Sequence, residues 1–344
     1  MKNWLALDVG GANLKAAHSA GQVRTIPFEL WKRPEDLPRL IQALGSTFPP
    51  FDHVALTMTA ELCDCYATKS RGVLSVLDAV EVAIGGREIR VWGTDAQFHS
   101  LDAVRRSPLI AAAANWLALA THAARLIPHG PALLIDIGST TTDLIPLMDG
   151  QVAAQGRTDT QRLQSGELVY AGVRRTPICA LATELPFRGV NTGLAAELFA
   201  ATMDIYLVLG DSAADPHDLS TPDGRPATVD AARDRLARMI GADRDDFSLE
   251  DAVAFAQAAD LALMTRLILA ATTACLRTVG KPQHAIVAGS GEFLARRLAR
   301  QVLVPNANIL SLQDTWGQVA STAACAHALV SLALERQTQE SPRP

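Results

Sequence analysis

Two short segments set an aspartate near the end of an apolar run and follow it with glycine and small or hydroxylic residues. Leu5-Ala6-Leu7-Asp8-Val9-Gly10-Gly11-Ala12-Asn13-Leu14-Lys15 is matched by Leu133-Leu134-Ile135-Asp136-Ile137-Gly138-Ser139-Thr140-Thr141-Thr142-Asp143. A carboxylate in apolar surroundings is costly unless it has a partner. A hydrated Mg²⁺ bound to a phosphate is a natural one, so Asp8, Asp136 and Asp143 are candidate metal ligands. Glycine lets the backbone approach a ligand closely, and successive N–H groups in a tight turn form an anion nest. Gly10, Gly11, Asn13 and Lys15 in the first copy, with Gly138, Ser139, Thr140 and Thr141 in the second, are therefore candidate phosphate contacts. Both copies leave through the same turn, Gly21-Gln22-Val23 and Gly150-Gln151-Val152. One such segment is an ordinary hairpin; two point to related lobes, each presenting a glycine turn to a shared cleft.

A third turn, Gly289-Ser290-Gly291, follows the apolar run 284–288 and precedes the apolar-periodic segment 292–303. Strand, glycine turn and helix in that order favour an anion or a nucleotide. Lys69 extends the phosphate-binding set, with Arg71 beside it; a solvated basic turn is the alternative.

Carboxylates able to act as a base lie next to these turns in the chain. Glu61 and Asp64 follow a strand ending at Thr59, and Asp95 follows one ending at Trp92. Ligands in open α/β sheets gather at such strand ends, and surface solvation is the competing reading. Arg157, Arg162, Arg174 and Arg175 lie in an irregular stretch with Asp159 and Glu167. Arginine clamps carboxylate or diphosphate bidentately, so Arg157, Asp159, Arg174 and Arg175 are candidate substrate contacts against a surface ion-pair network. There is no Gly-x-Ser-x-Gly nucleophile elbow. The five cysteines and eight histidines form no zinc pattern.

The elements that must carry these residues alternate between strand and helix. Three strands are expected over 4–9, 13–19 and 22–28, a short helix over 34–44 and a buried strand over 54–59. A helix over 73–84, a strand over 88–92 and one long apolar helix over 109–127 follow. The second lobe opens with strands at 132–137 and 142–147, joined onward by the strong turn Asp149-Gly150. Residues 211–225 read as a surface loop, 229–240 and 249–279 as helices, and 317–335 as the last helix. The expected domains are 1–130 and 131–336, the second with an irregular insertion near 157–226, then a polar tail at 337–344.

The chain has 344 residues, nearly half of them hydrophobic, and a formal net charge of −5. That is enough for two sizeable cores, and the modest negative charge argues against a nucleic-acid surface. No secretory signal is visible after Met1-Lys2-Asn3. Residues 110–127 come closest to a membrane span, but Asn115, His122 and Arg125 interrupt them. A cytoplasmic protein without membrane or nucleic-acid partners is expected, and homo-oligomerisation is left open.

The two Asp-x-Gly hairpins and the late Gly-Ser-Gly turn resemble the actin-like ATPase, sugar kinase and Hsp70 superfamily. The resemblance implies an α/β, two-lobed actin-like (ribonuclease H-like) fold with mixed sheets and an inter-lobe cleft. Segments 56–62, 68–73, 115–118, 134–143, 156–159, 166–170 and 174–177 resemble its hydantoinase/oxoprolinase-type branch more narrowly. Within that branch they are similar to the tetrahydromethanopterin-linked one-carbon-pathway proteins of methylotrophs and to the condensing enzyme of methanofuran biosynthesis. This implies joining of γ-glutamyl-tyramine to an aminomethylfuran-methyl diphosphate, with an aryl ether formed and diphosphate released. Mg²⁺ is the expected cofactor. Phosphotransferases of the superfamily often carry Thr or Ser where this chain has Ala12, which weakens a kinase reading without removing ATP. An ATP-dependent kinase or hydantoinase/oxoprolinase-like enzyme stands as one rival, and a non-catalytic nucleotide-binding regulator as another.

Overall fold

The computed structural model describes residues 3–340. Chain contacts divide it into two compact units, one of 1–134, 145–164 and 310–344, the other of 135–144 and 165–309.

The first unit is built on a six-stranded sheet in the order β3 (Val23–Pro27), β2 (Asn13–His18), β1 (Trp4–Val9), β4 (His53–Met58), β5 (Glu88–Trp92), β6 (Phe98–Ser100). β1 runs antiparallel to β2 and parallel to β4. Every residue of β1 and β4 is buried, as expected of strands covered on both faces. On one face Leu5, Leu7 and Val9 pack with α1 (Leu37–Ser46) and α2 (Lys69–Ile84). On the other, Trp4, Ala6 and Ala55 meet Ala118 of α4 (Asn115–Ala123) and Leu329, Leu332 and Ala333 of α12 (Ala324–Glu340). α3 (Leu101–Arg106) follows β6.

The second sheet has the order β10 (Leu168–Val169), β8 (Thr142–Met148), β7 (Pro131–Ile137), β13 (His284–Ala288), β14 (Asn308–Ser311), with β9 (Gln151–Val152) pairing β8. α5 (Asp159–Ser165) precedes β10, and β11 (Glu184–Phe187) and β12 (Val190–Gly193) form a separate hairpin. Helices α6 (Thr202–Leu209), α7 (Val229–Arg238), α8 (Leu249–Leu276) and α9 (Glu292–Val302) complete this part, and α10 (Leu312–Trp316) and α11 (Gln318–Ser321) lead into α12. Mixed sheets, with the β-β-β-α-β-α order in the first unit, give the actin-like α/β architecture implied by the resemblance.

Several elements differ from the sequence reading for identifiable reasons. The expected cut at 130 becomes a boundary through β7 and β8, and residues 310–340 join the first unit because α12 closes the open face of its sheet. The single helix expected over 109–127 is a 3-10 turn at Pro108–Ala111, then α4, then a second 3-10 turn. The break is at Ala113, whose φ is +50°. Left-handed backbone at a non-glycine costs about 1–2 kcal/mol, more than alanine's helix preference returns. α2 starts at Lys69 rather than at 73, because Thr68 accepts from the Arg71 N–H and caps it. The insertion near 157–226 contains α5, β10, the β11–β12 hairpin and α6. The loop 211–225 is tied down by Asp223, which pairs with Arg225, Arg235 and Arg238. The tail from 337 continues as helix to Glu340, and 341–344 lie outside the described residues. Among the described residues α8 is the one helix long and apolar enough by length and composition to cross a membrane, with 44% of its most apolar window buried.

Candidate active site

In the first unit the Asp-x-Gly turn is a tight hairpin closed by the Gly10 N–H donating to Asn13 O at 3.0 Å. The turn's carbonyls are taken from behind: Leu30 N–H donates to Gly11 O, and Phe28 N–H to Ala12 O. The N–H groups of Gly11 and Ala12 have no acceptor among the described residues. Two adjacent free amides at a glycine turn are what an anion nest offers.

Asp8 stands at the base of this turn, 4% exposed, opposite Lys15 on β2 and Thr57 on β4. Burial pushes its pKa up, against the opposing pull of Lys15 and of the Asn115 side chain. Asn115 opens α4; its Oδ1 accepts the Trp116 N–H at 2.7 Å, which leaves its amide for Asp8. The partial positive charge of the α4 N-terminus adds to that. Asp8 Oδ1 and Thr57 Oγ1 are buried with no hydrogen-bond partner. Orphaned buried oxygens are rare in native proteins, and Mg²⁺ binds through one or two carboxylates and completes its shell with water and phosphate. Asp8 fits that role. Among the described residues no cluster of three acidic, histidine or cysteine ligands forms a protein cage, so water and substrate oxygens would supply the rest.

Glu61 lies in a 3-10 turn directly after β4, only 1% exposed, and neither carboxylate oxygen has a hydrogen-bond partner. Its pKa rises from 4.5 to about 7, chiefly through burial; its own backbone N–H opposes the rise, Asp159 adds to it and Lys69 opposes it. The N–H of Ala113, aimed by the kink before α4, also opposes it, although no hydrogen-bond geometry is reached. A carboxylate poised near neutrality without a protein donor has the properties of a general base awaiting a substrate hydroxyl. Lys69, in the first turn of α2, works against the helix dipole, an arrangement that an anion would relieve.

The position of Glu61 depends on Gly72. A Cβ there would fall 2.3 Å from Glu61 O and 2.6 Å from its Cα. Both are backbone atoms, so no rotamer change relieves the clash. Gly72→Ala should lower the melting temperature by several degrees, the effect of about 1–3 kcal/mol of overpacking, and reduce turnover together with it. A melt and a rate measurement check this; an unchanged rate would show that Glu61 can shift without consequence.

Among the other sequence candidates of the first unit, Asp64 is exposed. Asp95 is exposed and occupied by His99 Nε2 at 2.9 Å and the Gln97 N–H. Asp159 opens α5 and is half-buried, within electrostatic reach of Glu61. Arg157 is exposed, its N–H bonded to Gln161. Arg162 is buried with its guanidinium 4.1 Å above the Trp116 ring. Asn115, Thr57 and Ala113 were missed as site residues. The signal for Asn115 was an amide in an apolar run, which counted only against a membrane span and was absorbed into one long helix.

In the second unit the turn repeats the same geometry. Gly138 N–H donates to Thr141 O at 2.9 Å, while Ser139 and Thr140 keep N–H groups without an acceptor among the described residues. The Arg174 and Arg175 N–H groups both donate to Ser139 O, and the Val173 N–H to Gly138 O. Gly172 sits so close that a Cβ would be 2.4 Å from Gly138 O. The third glycine turn joins them: Gly291 N–H donates to Ile137 O at 2.8 Å, and a Cβ on Gly289 would meet Asp136 Oδ1 at 2.4 Å. Ser290 lies between these two glycines. Arg174 and Arg175 thus contribute backbone support. The Arg174 guanidinium is engaged by Asp218, and Arg175 is exposed. Asp143 is half-buried on β8, in register with Leu168.

With this geometry in view, residues 52–333 match the profile of the hydantoinase/oxoprolinase family. The chain is 33% identical over 339 residues to a (4-{4-[2-(gamma-L-glutamylamino)ethyl]phenoxymethyl}furan-2-yl)methanamine synthase of Methanocaldococcus jannaschii, covering 97% of this chain and 98% of that one. A protein of the same name from Methanococcus vannielii is 32% identical over 192 residues, 56% of this chain and 85% of that one. Among solved structures, nucleotide-free acetone carboxylase superposes with a TM-score of 0.52 at 11% identity, over 96% of this chain and 70% of that one. That likeness concerns the fold alone.

Proposed function

Since the chain belongs to the hydantoinase/oxoprolinase family, we propose that it is a transferase of methanofuran-type cofactor biosynthesis that builds an aryl ether and releases diphosphate. The acceptor is a phenol of the γ-glutamyl-tyramine kind, and the donor is an aminomethylfuran-methyl diphosphate. The observation that carries the chemistry is Glu61: a buried carboxylate at a strand end, without a protein donor and with a pKa of about 7.

The phenol oxygen attacks the furan methylene. The methylene–oxygen bond breaks with its electron pair passing to diphosphate, and the new carbon–oxygen bond closes the ether. The furan stabilises positive charge at the methylene, which favours early departure of diphosphate. The phenolic proton passes to Glu61. A free phenol has a pKa of about 10, so a positioned base is worth roughly 10²–10⁴ in rate. The free amides of Gly11 and Ala12 and the ammonium groups of Lys15 and Lys69 counter the charge that grows on the leaving group. Mg²⁺, which Asp8 would hold, would add charge stabilisation to the departing diphosphate. The Ser139 and Thr140 amides are a second nest of the same kind.

Purified protein with both substrates, with and without ATP, tests the reading. Ether and diphosphate should appear in equal amounts without ATP. Product formation that consumes one ATP per turnover would replace the transferase with the ATP-dependent reading. Nucleotide binding without any product would leave a regulator.

A further inference from the structure

Beside the first glycine turn runs the segment 28–32, which leads from β3 toward α1. Its backbone is tied to the turn. The Phe28 N–H donates to Ala12 O at 3.0 Å, and the Leu30 N–H to Gly11 O at 2.9 Å. Phe28 and Leu30 are buried in the core shared with α1 and α2. Beyond Leu30 the chain reverses. The Lys32 N–H donates to Glu29 O at 3.0 Å and the Arg33 N–H to Leu30 O at 3.2 Å, so Trp31 stands at the crest of two overlapping turns. These hydrogen bonds fix its backbone relative to the free amides of Gly11 and Ala12.

Tryptophan is an unexpected residue for such a place. Turn crests ordinarily carry small or polar residues, which suit the bend and the solvent. Trp31 is half-buried and is not part of the core that takes Phe28 and Leu30, although Ile26 and Leu40 on either side pack against that core. The neighbouring charges have partners of their own: Lys32 pairs with Glu29 at 2.9 Å and Arg33 with Asp36 at 3.6 Å. A large aromatic surface beside a few convergent polar groups is the make-up of a small-molecule site.

We propose that Trp31 is the wall that receives the ring of the donor, a planar π system joined through one methylene to a diphosphate held on the Gly11 and Ala12 amides. The donor's identity rests on the transferase reading above; the wall itself rests on the turn. Residues joined by a backbone hydrogen bond have Cα atoms about 5–6 Å apart, and the next Cα lies about 3.8 Å further on. Trp31 Cα is thus within about 10 Å of Gly11 Cα, a gap of the size of an indole and one small ring. A furan one methylene from its diphosphate falls in that gap, whereas a nucleobase is set back by a whole ribose. The face of an indole also attracts positive charge. It therefore suits the aminomethyl group of the donor, and the charge that grows at the methylene as the carbon–oxygen electron pair passes to diphosphate.

Calorimetry on the full chain with Mg²⁺ and three ligands tests this: pyrophosphate, ADP, and an unreactive analogue of the donor with CH₂ in place of the ester oxygen. Trp31→Met should bind pyrophosphate and ADP as the wild type does, and the furan analogue about tenfold more weakly, the scale of one lost aromatic contact. Trp31→Phe should recover most of that loss, because it restores a ring. With donor and phenol, Trp31→Met should lower kcat as well as raise KM, since the positive charge at the methylene is greatest in the transition state. Equal affinity of wild type and Trp31→Met for the furan analogue overturns the proposal. So does a loss confined to ADP, or a joint loss of pyrophosphate and analogue with a depressed melt, which would make Trp31 a packing residue. Ether formation by a wild type whose binding is indifferent to Trp31→Met removes the wall alone. Trp31-dependent binding of the analogue by a wild type that forms no ether keeps the wall and removes the transferase.

Discussion

Glu61→Gln should lower kcat by roughly 10²–10⁴-fold, the usual contribution of a general base, while KM changes little. The substitution keeps the shape of the side chain and removes its capacity to take a proton. The wild-type rate should rise with pH through about 7, as Glu61 ionises, and that limb should vanish in the variant. A second, independent signature is stability. In the unfolded chain Glu61 titrates near its ordinary 4.5, but in the folded chain it does so at about 7. The folded state thus holds the proton more tightly between those values. Stability is fully present below about 4.5 and is lost as pH rises through about 7. The difference is worth at most about 3 kcal/mol. Glu61→Gln should therefore melt higher than the wild type at pH 8 and nearly alike at pH 4. Full activity across pH in the variant would remove Glu61 as the base. Asp64→Asn and Asp95→Asn would then be compared, although both side chains are exposed and Asp95 is already paired with His99.

What the sequence made legible follows the range of the interactions. Asp8 and Asp136 stand out as candidates because an acidic residue inside an apolar strand contradicts its surroundings, and the contradiction occurs twice. Glu61 was readable because β4 ends just before it, a local fact of periodicity. Asn115 was not, because the alanine-rich run around it favours one unbroken helix by propensity. The left-handed Ala113 that breaks this run and lets Asn115 open α4 toward Asp8 is a tertiary feature, which local propensity does not announce. The return of residues 310–340 to the first unit is likewise non-local: α12 is apolar on the side that Trp4, Ala6 and Ala55 require, and nothing near it in sequence says so. The burial pattern of α8 was hidden for another reason. Its leucines and alanines run all the way round, so periodicity cannot separate Leu261 from Leu263, one exposed and the other wholly buried.

Gly138→Val should abolish Mg²⁺-dependent diphosphate binding while leaving the fold largely intact. The space around Gly138 makes the two effects separable. A Cβ there would touch only Thr141 O, at an ordinary 3.5 Å, and the Gly138 φ is not positive. The valine side chain would instead stand in the open space beside the free amides of Ser139 and Thr140, where an anion would bind. Gly172→Ala is the contrasting variant. Its Cβ would fall 2.4 Å from Gly138 O and 2.6 Å from Thr140 N, so the turn itself must move, at about 1–3 kcal/mol. Calorimetry with pyrophosphate and Mg²⁺, beside thermal melts, should show lost binding with an unchanged melt for Gly138→Val, and a depressed melt for Gly172→Ala. Asp136→Asn should weaken binding only when Mg²⁺ is present. Wild-type affinity that persists in excess chelator would remove the metal from the site. Wild-type affinity in Gly138→Val would move the diphosphate away from the second turn, leaving the Gly11 and Ala12 amides, beside Asp8 and Lys15, as the nest that holds it.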